Sequence, residues 1–394
     1  MRPLFFKSLS KSDLDHMHPP SLAELKLLML DPNLKEEQLV KSLILMSQNF
    51  TTKREQISAY TLDEQFVSAY VAFYFSTNVY KLYFLLSLLD EELKAAILRS
   101  HLIDVGAGPG TYTFAFLQMQ QHLNLLTLNQ NQHYTLIEKS ALMQRQAEKI
   151  LKYYFPQKKF LFNFSKDSTF ENIDLGRCML FGHSVNEIGV KESLQLISEL
   201  GPQYIILIEP ANRDLFHQLK SMREQLILSD YEIVFPCESQ ANCPSDWCHL
   251  TLRQTLPQDL ERLSQLVKLD RKIMPFVGMI YKKKNILKEM NNHQNEEVNA
   301  LRTHQFIAET KFSFTYRFCT QKLNSNQQLE LIDIEILKKK MSKQAIKACK
   351  QLSLGEILHF SKLTPVSTQS SHTTPSILKF RGELIEQQGR DDED

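Results

Sequence analysis

Leu102-Ile103-Asp104-Val105-Gly106-Ala107-Gly108-Pro109-Gly110-Thr111 is the stretch on which the fold turns. His101–Val105 is a short apolar run of strand length, and Thr111–Gln121 reads as a helix. Between them stand glycines at 106, 108 and 110. Glycine tolerates positive φ and lets a ligand approach backbone that a Cβ would shield. A strand that ends in such a turn and opens a helix is the entry to a nucleotide-type site. Glu138, at the end of the next strand, can bond both hydroxyls of a ribose. A nicotinamide fingerprint would place a third small residue at position 111, where this chain has Thr111.

Outward from the loop, strand and helix alternate. Tyr134–Ile137, Phe160–Phe164, Cys178–Phe181 and Tyr204–Ile208 read as strands, with helices at Ser140–Tyr153 and Asp214–Ser229. That rhythm predicts an α/β fold with a doubly wound, mostly parallel sheet. Ligands of such sheets bind beyond the carboxyl ends of strands, which directs attention to His183–Ile188 and Glu209-Pro210. There Asn186 could orient an amine and Glu187 could take a proton; equally, the two could cap the next helix.

Before the loop, residues 1–95 read as helical. Glu64–Leu89 is too densely apolar for an exposed helix, and Asn78 and Lys81 are the only strongly polar residues in its second half. After the sheet, Pro275–Tyr281, Phe312–Phe318 and Leu329–Ile336 look like strands and Ser342–Gln351 like a basic helix. Residues 363–377 are rich in Ser, Thr and Pro, and Asp391–Asp394 is acidic, so a flexible tail is expected. The domain layout is a helical region at 1–95, a ligand-binding α/β domain at 96–235, a metal-binding basic module at 236–362 and a tail at 363–394.

With 394 residues, 43% hydrophobic and 23% charged, the chain can bury a full core without a metal. No apolar run reaches the roughly 18 residues of a membrane span. No secretory signal is visible, so a reducing compartment is expected, although Arg2, Lys7 and Lys11 precede the first acid, as in a transit peptide. The net charge is +1, yet Lys282–Lys350 holds 14 Lys/Arg and 7 Asp/Glu. Such a stretch suits RNA phosphates or is a solvated lysine face.

Three of the six cysteines, Cys237, Cys243 and Cys248, fall within twelve residues, together with the only tryptophan, Trp247. Clustered thiolates in a reducing compartment are more often metal ligands than disulfides. Their spacing, C-x5-C-x4-C, matches neither zinc ribbons nor the bacterial ferredoxin run. A closed four-coordinate site needs one more donor, and the candidates are His249, Cys319 and Cys349, while Cys178 reads as packed core.

The Asp104–Gly110 pattern, Asp-x-Gly-x-Gly-x-Gly, resembles motif I of class I S-adenosylmethionine-dependent methyltransferases. More of the chain resembles the methyltransferase-like family associated with the small ribosomal subunit. The likeness runs from about Ala69 to Leu358. It takes in Phe73-Tyr74-Phe75 with Asn78 and Lys81, Asp104–Thr111, Val185–Ile188, Ile208-Glu209-Pro210, Pro236-Cys237 through Cys243-Pro244, Asp246–His249 and Phe318-Cys319-Thr320. The resemblance implies a Rossmann-like sheet that binds S-adenosyl-L-methionine through Asp104, Gly106, Gly108, Gly110, Thr111 and Glu138, with Asn186 and Glu187 facing the methyl group. It also implies a [4Fe–4S] cluster held by Cys237, Cys243, Cys248 and Cys319, with zinc in the same thiolates as the alternative. The expected protein is a monomer that acts on the small ribosomal subunit and its rRNA, away from membranes. It works as a methyltransferase or as a non-catalytic assembly factor, in a bacterial cytoplasm or, alternatively, the mitochondrial matrix. The Asn-Pro-Pro-Tyr type of tetrapeptide used by amine methyltransferases is absent after the fourth strand.

Overall fold

The glycine stretch sits where the sheet changes direction. A computed structural model describes residues 19–51, 63–125, 133–163, 176–237, 240–243, 245–284, 299–323, 329–366 and 377–385. The transit-like residues Arg2, Lys7 and Lys11, most of 363–377 and Asp391–Asp394 lie outside the described residues.

In chain order the helical elements are α1 (Leu22–Leu28), α2 (Glu36–Thr51), α3 (Glu64–Tyr70), a π-helical turn (Val71–Phe75), α4 (Ser76–Ser87) and α5 (Glu91–Arg99). The alternating region follows: β1 (His101–Val105), α6 (Thr111–His122), β2 (His133–Ile137), α7 (Ala141–Tyr154), β3 (Lys159–Asn163), β4 (Arg177–Gly182), α8 (Val185–Ile188), α9 (Val190–Leu200) and β5 (Tyr204–Pro210). Then come α10 (Arg213–Leu228), β6 (Tyr231–Phe235), β7 (Leu250–Arg253), α11 (Gln258–Leu266) and β8 (Ile273–Lys283). The last elements are β9 (Asn299–Glu309), β10 (Ser313–Leu323), β11 (Leu329–Leu337), α12 (Lys343–Gln351), β12 (Ile357–Pro365) and β13 (Leu378–Leu384). The strands and helices expected from Glu64 to Ser229 form within a residue or two of their expected ends.

The chain divides into two units. The first comprises Leu9–Pro210 and Leu252–Tyr281. Its sheet runs β3-β2-β1-β4-β5-β8. β1 pairs in parallel with β2 on one side and β4 on the other, so Asp104 lies opposite both Leu136 and Leu180. The chain winds outward from β1 to β3, then crosses back to continue from β4. That reversal leaves a crevice at the carboxyl ends of β1 and β4. Every residue of β1 is buried, as a parallel strand covered on both faces should be. From Val71 to Leu85 every side chain is buried, as the apolar density of Glu64–Leu89 predicts. Within this span the π turn interrupts the α-helical ladder, an irregularity often found beside functional sites.

The second unit comprises Ala211–Thr251 and Lys282–Asp394. Here β10-β11-β13-β12-β9 close into a barrel. β11 and β13 pair in parallel, and β9–β10, β10–β11, β12–β13 and β9–β12 pair antiparallel. Five strands in this order, with α12 between the third and fourth, make a Greek-key barrel of the oligonucleotide-binding type. Phe314, Tyr316 and Phe318 of β10 alternate inward to meet Ile332, Ile334 and Ile336 of β11. Tyr316 Oη donates to the Cys349 carbonyl at 2.7 Å and ties α12 to the barrel. Two readings need correcting. Leu378–Leu384, expected in a flexible tail, is a barrel strand. Cys349, one of three candidates for a fourth metal ligand, is packed in the barrel core at 2% exposure.

Candidate functional site

The loop after β1 has the backbone its glycines allow: Gly106, Gly108 and Gly110 all have positive φ, at 68°, 54° and 77°. A Cβ on Gly106 would come within 2.5 Å of Ser184 Cβ, so close packing also enforces that glycine. A Cβ on Gly108 would meet nothing within 4 Å, so Gly108 faces open space. Glu138, at the end of β2, accepts from the Gly108 N–H and the Ser140 N–H, both at 2.8 Å. The ribose-binding candidate and the loop are therefore joined directly. Burial raises the Glu138 pKa, and the N–H donors oppose that rise. Asp104 accepts from the Thr113 N–H and hydroxyl through Oδ2, at 3.1 and 2.8 Å, which leaves Oδ1 without a partner. Burial pushes the Asp104 carboxyl up to about 7. Thr111 Oγ1 is buried and also without a partner.

The end of β4 faces the same crevice. Asn186 and Glu187 lie in the single turn α8, and Glu187 is exposed. Enough protein surrounds the Glu187 carboxyl to raise its pKa, against the pull of Lys139. Behind that turn, Glu209 at the end of β5 is fully buried and accepts from the Val185 N–H at 2.8 Å. Burial pushes Glu209 up to about 8, while its backbone donors pull the other way. Glu209 is therefore a positioning residue for the Ser184–Asn186 backbone.

Sequence reasoning named no site role for a set of side chains beside this turn. Lys81 of α4 is 3% exposed, and its Nζ lies 2.8 Å from His183 Nε2. His183 holds φ at 63°, an uncommon conformation for a residue other than glycine. Arg271, just before β8, donates from Nε and Nη2 to Thr77 Oγ1 at 3.1 and 3.0 Å, and from Nη2 to Asn78 Oδ1 at 2.7 Å. Its guanidinium lies 5.3 Å from the Tyr74 ring centre. Lys81 did carry a signal, as a lone charge in an apolar helix. Arg271 carried none, because it sits among ordinary surface-type residues of the sequence.

The second unit gathers the cysteines. Cys237 follows β6, Cys243 and Cys248 follow in the next loop, and Cys319 lies on β10 opposite Leu331 and Arg302. Burial raises the Cys248 thiol well above its usual range, and Cys319, Cys243 and Cys237 push it further, while Arg223 opposes. Each of the other three thiols named from the sequence thus acts on Cys248. None of the six cysteines forms a disulfide. The loop is held from α10, where Arg223 Nη2 donates to the Ala241 carbonyl at 2.8 Å and Lys220 Nζ to the Ser245 carbonyl at 3.3 Å. His249 packs on Trp247 with ring centres 5.1 Å apart, and its Nδ1 has no partner. Among the described residues no three donors stand close enough together, as placed, to hold an ion. Cys178 is fully buried in β4, as expected of a core residue.

A family model described as mitochondrial small ribosomal subunit Rsm22 matches residues 63–322. No curated protein matches the chain. Among solved structures, the mitomycin 7-O-methyltransferase MmcR is 12% identical over 63% of this chain and 66% of its own, with a TM-score of 0.33. TrmK of M. capricolum, in complex with S-adenosyl-homocysteine, is 9% identical over 51% of this chain and 73% of its own, with a TM-score of 0.28. An S-adenosylmethionine-dependent methyltransferase of Thiobacillus denitrificans, in complex with S-adenosyl-L-homocysteine, is 14% identical over 51% and 91%, again at 0.28.

Proposed function

The chain belongs to the mitochondrial small ribosomal subunit Rsm22 family, and from that premise we propose that it is an S-adenosylmethionine-binding, methyltransferase-like protein of the small ribosomal subunit. The observation that carries the cofactor reading is the glycine loop. Gly108 faces open space, and Glu138 sits on the Gly108 N–H. The orphaned Asp104 Oδ1 and Thr111 Oγ1 fit a ligand with hydroxyls and an ammonium. Gly106, Gly108 and Gly110 would receive the ligand against backbone, Glu138 would hold the ribose and Asp104 the amino group. When bound, S-adenosylmethionine would supply an electrophilic methyl group. Asn186 would orient an acceptor and Glu187, with its raised pKa, would take a proton from it.

A second reading has the same fold acting without chemistry, as an assembly factor. It is favoured by the run Ser184-Val185-Asn186-Glu187, which lacks the aromatic and proline residues that clamp a base. Tritiated methyl transfer to small subunits from a strain lacking the protein separates the two. Label above that given by a Gly108→Arg protein supports the enzyme, and its absence supports the assembly factor.

We propose further that Cys237, Cys243, Cys248 and Cys319 hold a [4Fe–4S] cluster, with zinc the alternative. Four soft donors in one unit, three of them acting on the fourth, Cys248, with the buried Arg223 opposing, suit an anionic metal–thiolate centre. Such a group would crosslink the loop after β6 to β10. Protein purified without oxygen should be brown, with absorbance near about 400 nm; a colourless protein with stoichiometric zinc favours the alternative. The barrel, of a type that binds oligonucleotides, is the proposed rRNA contact. The family description favours the mitochondrial matrix over a bacterial cytoplasm.

A further inference from the structure

Lys81 and Arg271 are not explained by packing. Among the described residues neither forms an ion pair, although Lys81 is almost wholly buried. Lys81 Nζ sits against His183 Nε2 and 5.9 Å from the Phe276 ring centre, and Arg271 is held toward it by Thr77 and Asn78. A buried ammonium without a paired counter-charge is costly, and a second cation nearby makes it costlier. The repulsion is felt: after burial itself, Arg271 is the largest influence that lowers the Lys81 pKa, ahead of the opposing pull of Glu209. Beside them, Tyr112 Oη, Ser184 Oγ and Glu209 Oε2 are buried with no partner. The side chains holding Lys81 and Arg271 supply no counter-charge, since each offers only a neutral acceptor.

We propose that Lys81 and Arg271 form a clamp for the α-carboxylate at the amino-acid end of the bound adenosyl cofactor. The inference rests on the cofactor reading above and says which way that cofactor lies. Tyr112, at the head of α6, feels both Asp104 and Arg271, so the candidate ammonium partner and the candidate carboxylate partner both act at one side chain. Glu138 lies on the loop's other flank, at the end of β2. An adenosine placed on Glu138 then sends its amino-acid end toward Asp104, Tyr112 and the two cations. A phosphate would satisfy the same charges. The enclosure of Lys81 by Phe276 and His183 suits a small terminal anion rather than a phosphodiester with nucleotides on both sides.

The test compares two ligands that differ only in the carboxylate, S-adenosylmethionine and its decarboxylated form, by calorimetry on the full chain. The native protein should prefer the carboxylated ligand by about tenfold or more, the scale of a charge-assisted bidentate contact. Lys81→Met and Arg271→Gln should each bring the two affinities close together by weakening the carboxylated ligand, while the decarboxylated ligand, which carries only positive charge, binds no worse. Equal affinities in the native protein overturn the clamp while leaving the cofactor reading intact. Variants that weaken both ligands alike, at an unchanged melting temperature, also overturn it. Inorganic phosphate that binds the native protein without competing with S-adenosylmethionine, and no longer binds Lys81→Met, assigns the cations to a separate phosphate site and overturns it too. A native protein that binds neither ligand, nor methylthioadenosine, fails the cofactor reading and the clamp with it. If Arg271→Gln does not fold, Lys81→Met and the native comparison still decide.

Discussion

The first unit's crevice and the second unit's barrel carry charge in opposite ways. Around the crevice, Lys81, Asp104 and Glu209 are buried and Arg271 is half-buried, each with neutral partners. On the barrel, charge is cancelled locally: Lys338 pairs with Glu309, Lys340 with Glu383, Arg381 with Glu335, and Arg317 makes two bonds to Asp333 at 2.8 and 3.1 Å. The sequence shows the reverse, a local excess of lysine in Lys282–Lys350 and a near-uncharged helix around Lys81. What separates a binding site from a solvated face is therefore pairing, which a count of charges does not contain. The second unit's other distinctive groups are its thiols, Cys319 on β10 and Cys237, Cys243 and Cys248 in the loop after β6.

The largest effect expected lies in those thiols. Cys319→Ser should remove iron as completely as Cys237→Ser, because a cluster that loses one of four thiolates loses its closed shell. Metal analysis after anaerobic purification reads this directly. Cys349→Ser should leave iron unchanged, since that residue is buried in the barrel core. Iron lost from Cys349→Ser but retained in Cys319→Ser would reverse the assignment.

Next in size is Gly108→Arg. The position has room for a side chain but needs φ of 54°, and an arginine there would fill the space proposed for the cofactor. Binding of S-adenosylhomocysteine should fall by about a hundredfold or more, the arithmetic of blocking a site rather than trimming it. Iron content, proposed for the other unit, should not change. A variant that still binds the ligand would move the cofactor elsewhere, and one that loses iron would couple what the comparison keeps apart.

Much of this was legible in residues that obey local rules. Asp104–Thr111 declares a strand, a turn and a helix start within ten residues, and the structure follows it. Cys319 stood among three candidate fourth donors and was singled out only through the family resemblance, because no spacing links a residue about 70 positions away to the other three. The strand β13 was missed because Gly382, the one buried position in Leu378–Leu384, offers no apolar signal. A Cβ on Gly382 would come within 2.6 Å of Phe360 Cδ1, so the barrel interior itself selects glycine there. Arg271 was illegible for another reason: its partners Thr77 and Asn78 lie almost 200 residues earlier, and only the fold brings them together.

A smaller effect is expected from pH. Burial lifts the folded-state pKa of Glu209 from the ordinary carboxylate range to about 8. Its contribution to stability is thus full below the unfolded pKa and is lost as pH rises through about 8. Glu209→Gln removes that loss but keeps an acceptor for the Val185 N–H. In urea unfolding, the variant should gain on the native protein between pH 5 and pH 8.5 by about 2–4 kcal/mol, since each tenfold change in proton affinity between the folded and unfolded states is worth about 1.4 kcal/mol. Asp104, whose pKa is also raised, remains in both proteins and cancels in the difference. A constant gap across that range would mean Glu209 is ionised throughout, and the crevice would then carry a paired charge after all.

The smallest effect tests the barrel half of the comparison. Lys340 and Glu383 are both about half exposed, at 49% and 40% of their side chains, so solvent screens the pair and side-chain entropy offsets it. Lys340→Ala should shift the melting temperature by no more than about one degree, and added salt should not change that result. Arg317→Ala should cost visibly more, because Asp333 is only 9% exposed and would lose both of its bonds to the guanidinium. The ranking matters more than either value. If Lys340→Ala were as damaging as Arg317→Ala, the barrel's lysines would be structural charges like those of the crevice. If instead Lys340→Ala left stability unchanged but weakened binding to single-stranded RNA at low salt, pairing with Glu383 would be a resting state that RNA displaces. The local excess of lysine would then measure a nucleic-acid face after all, with Glu383 acting as its internal competitor.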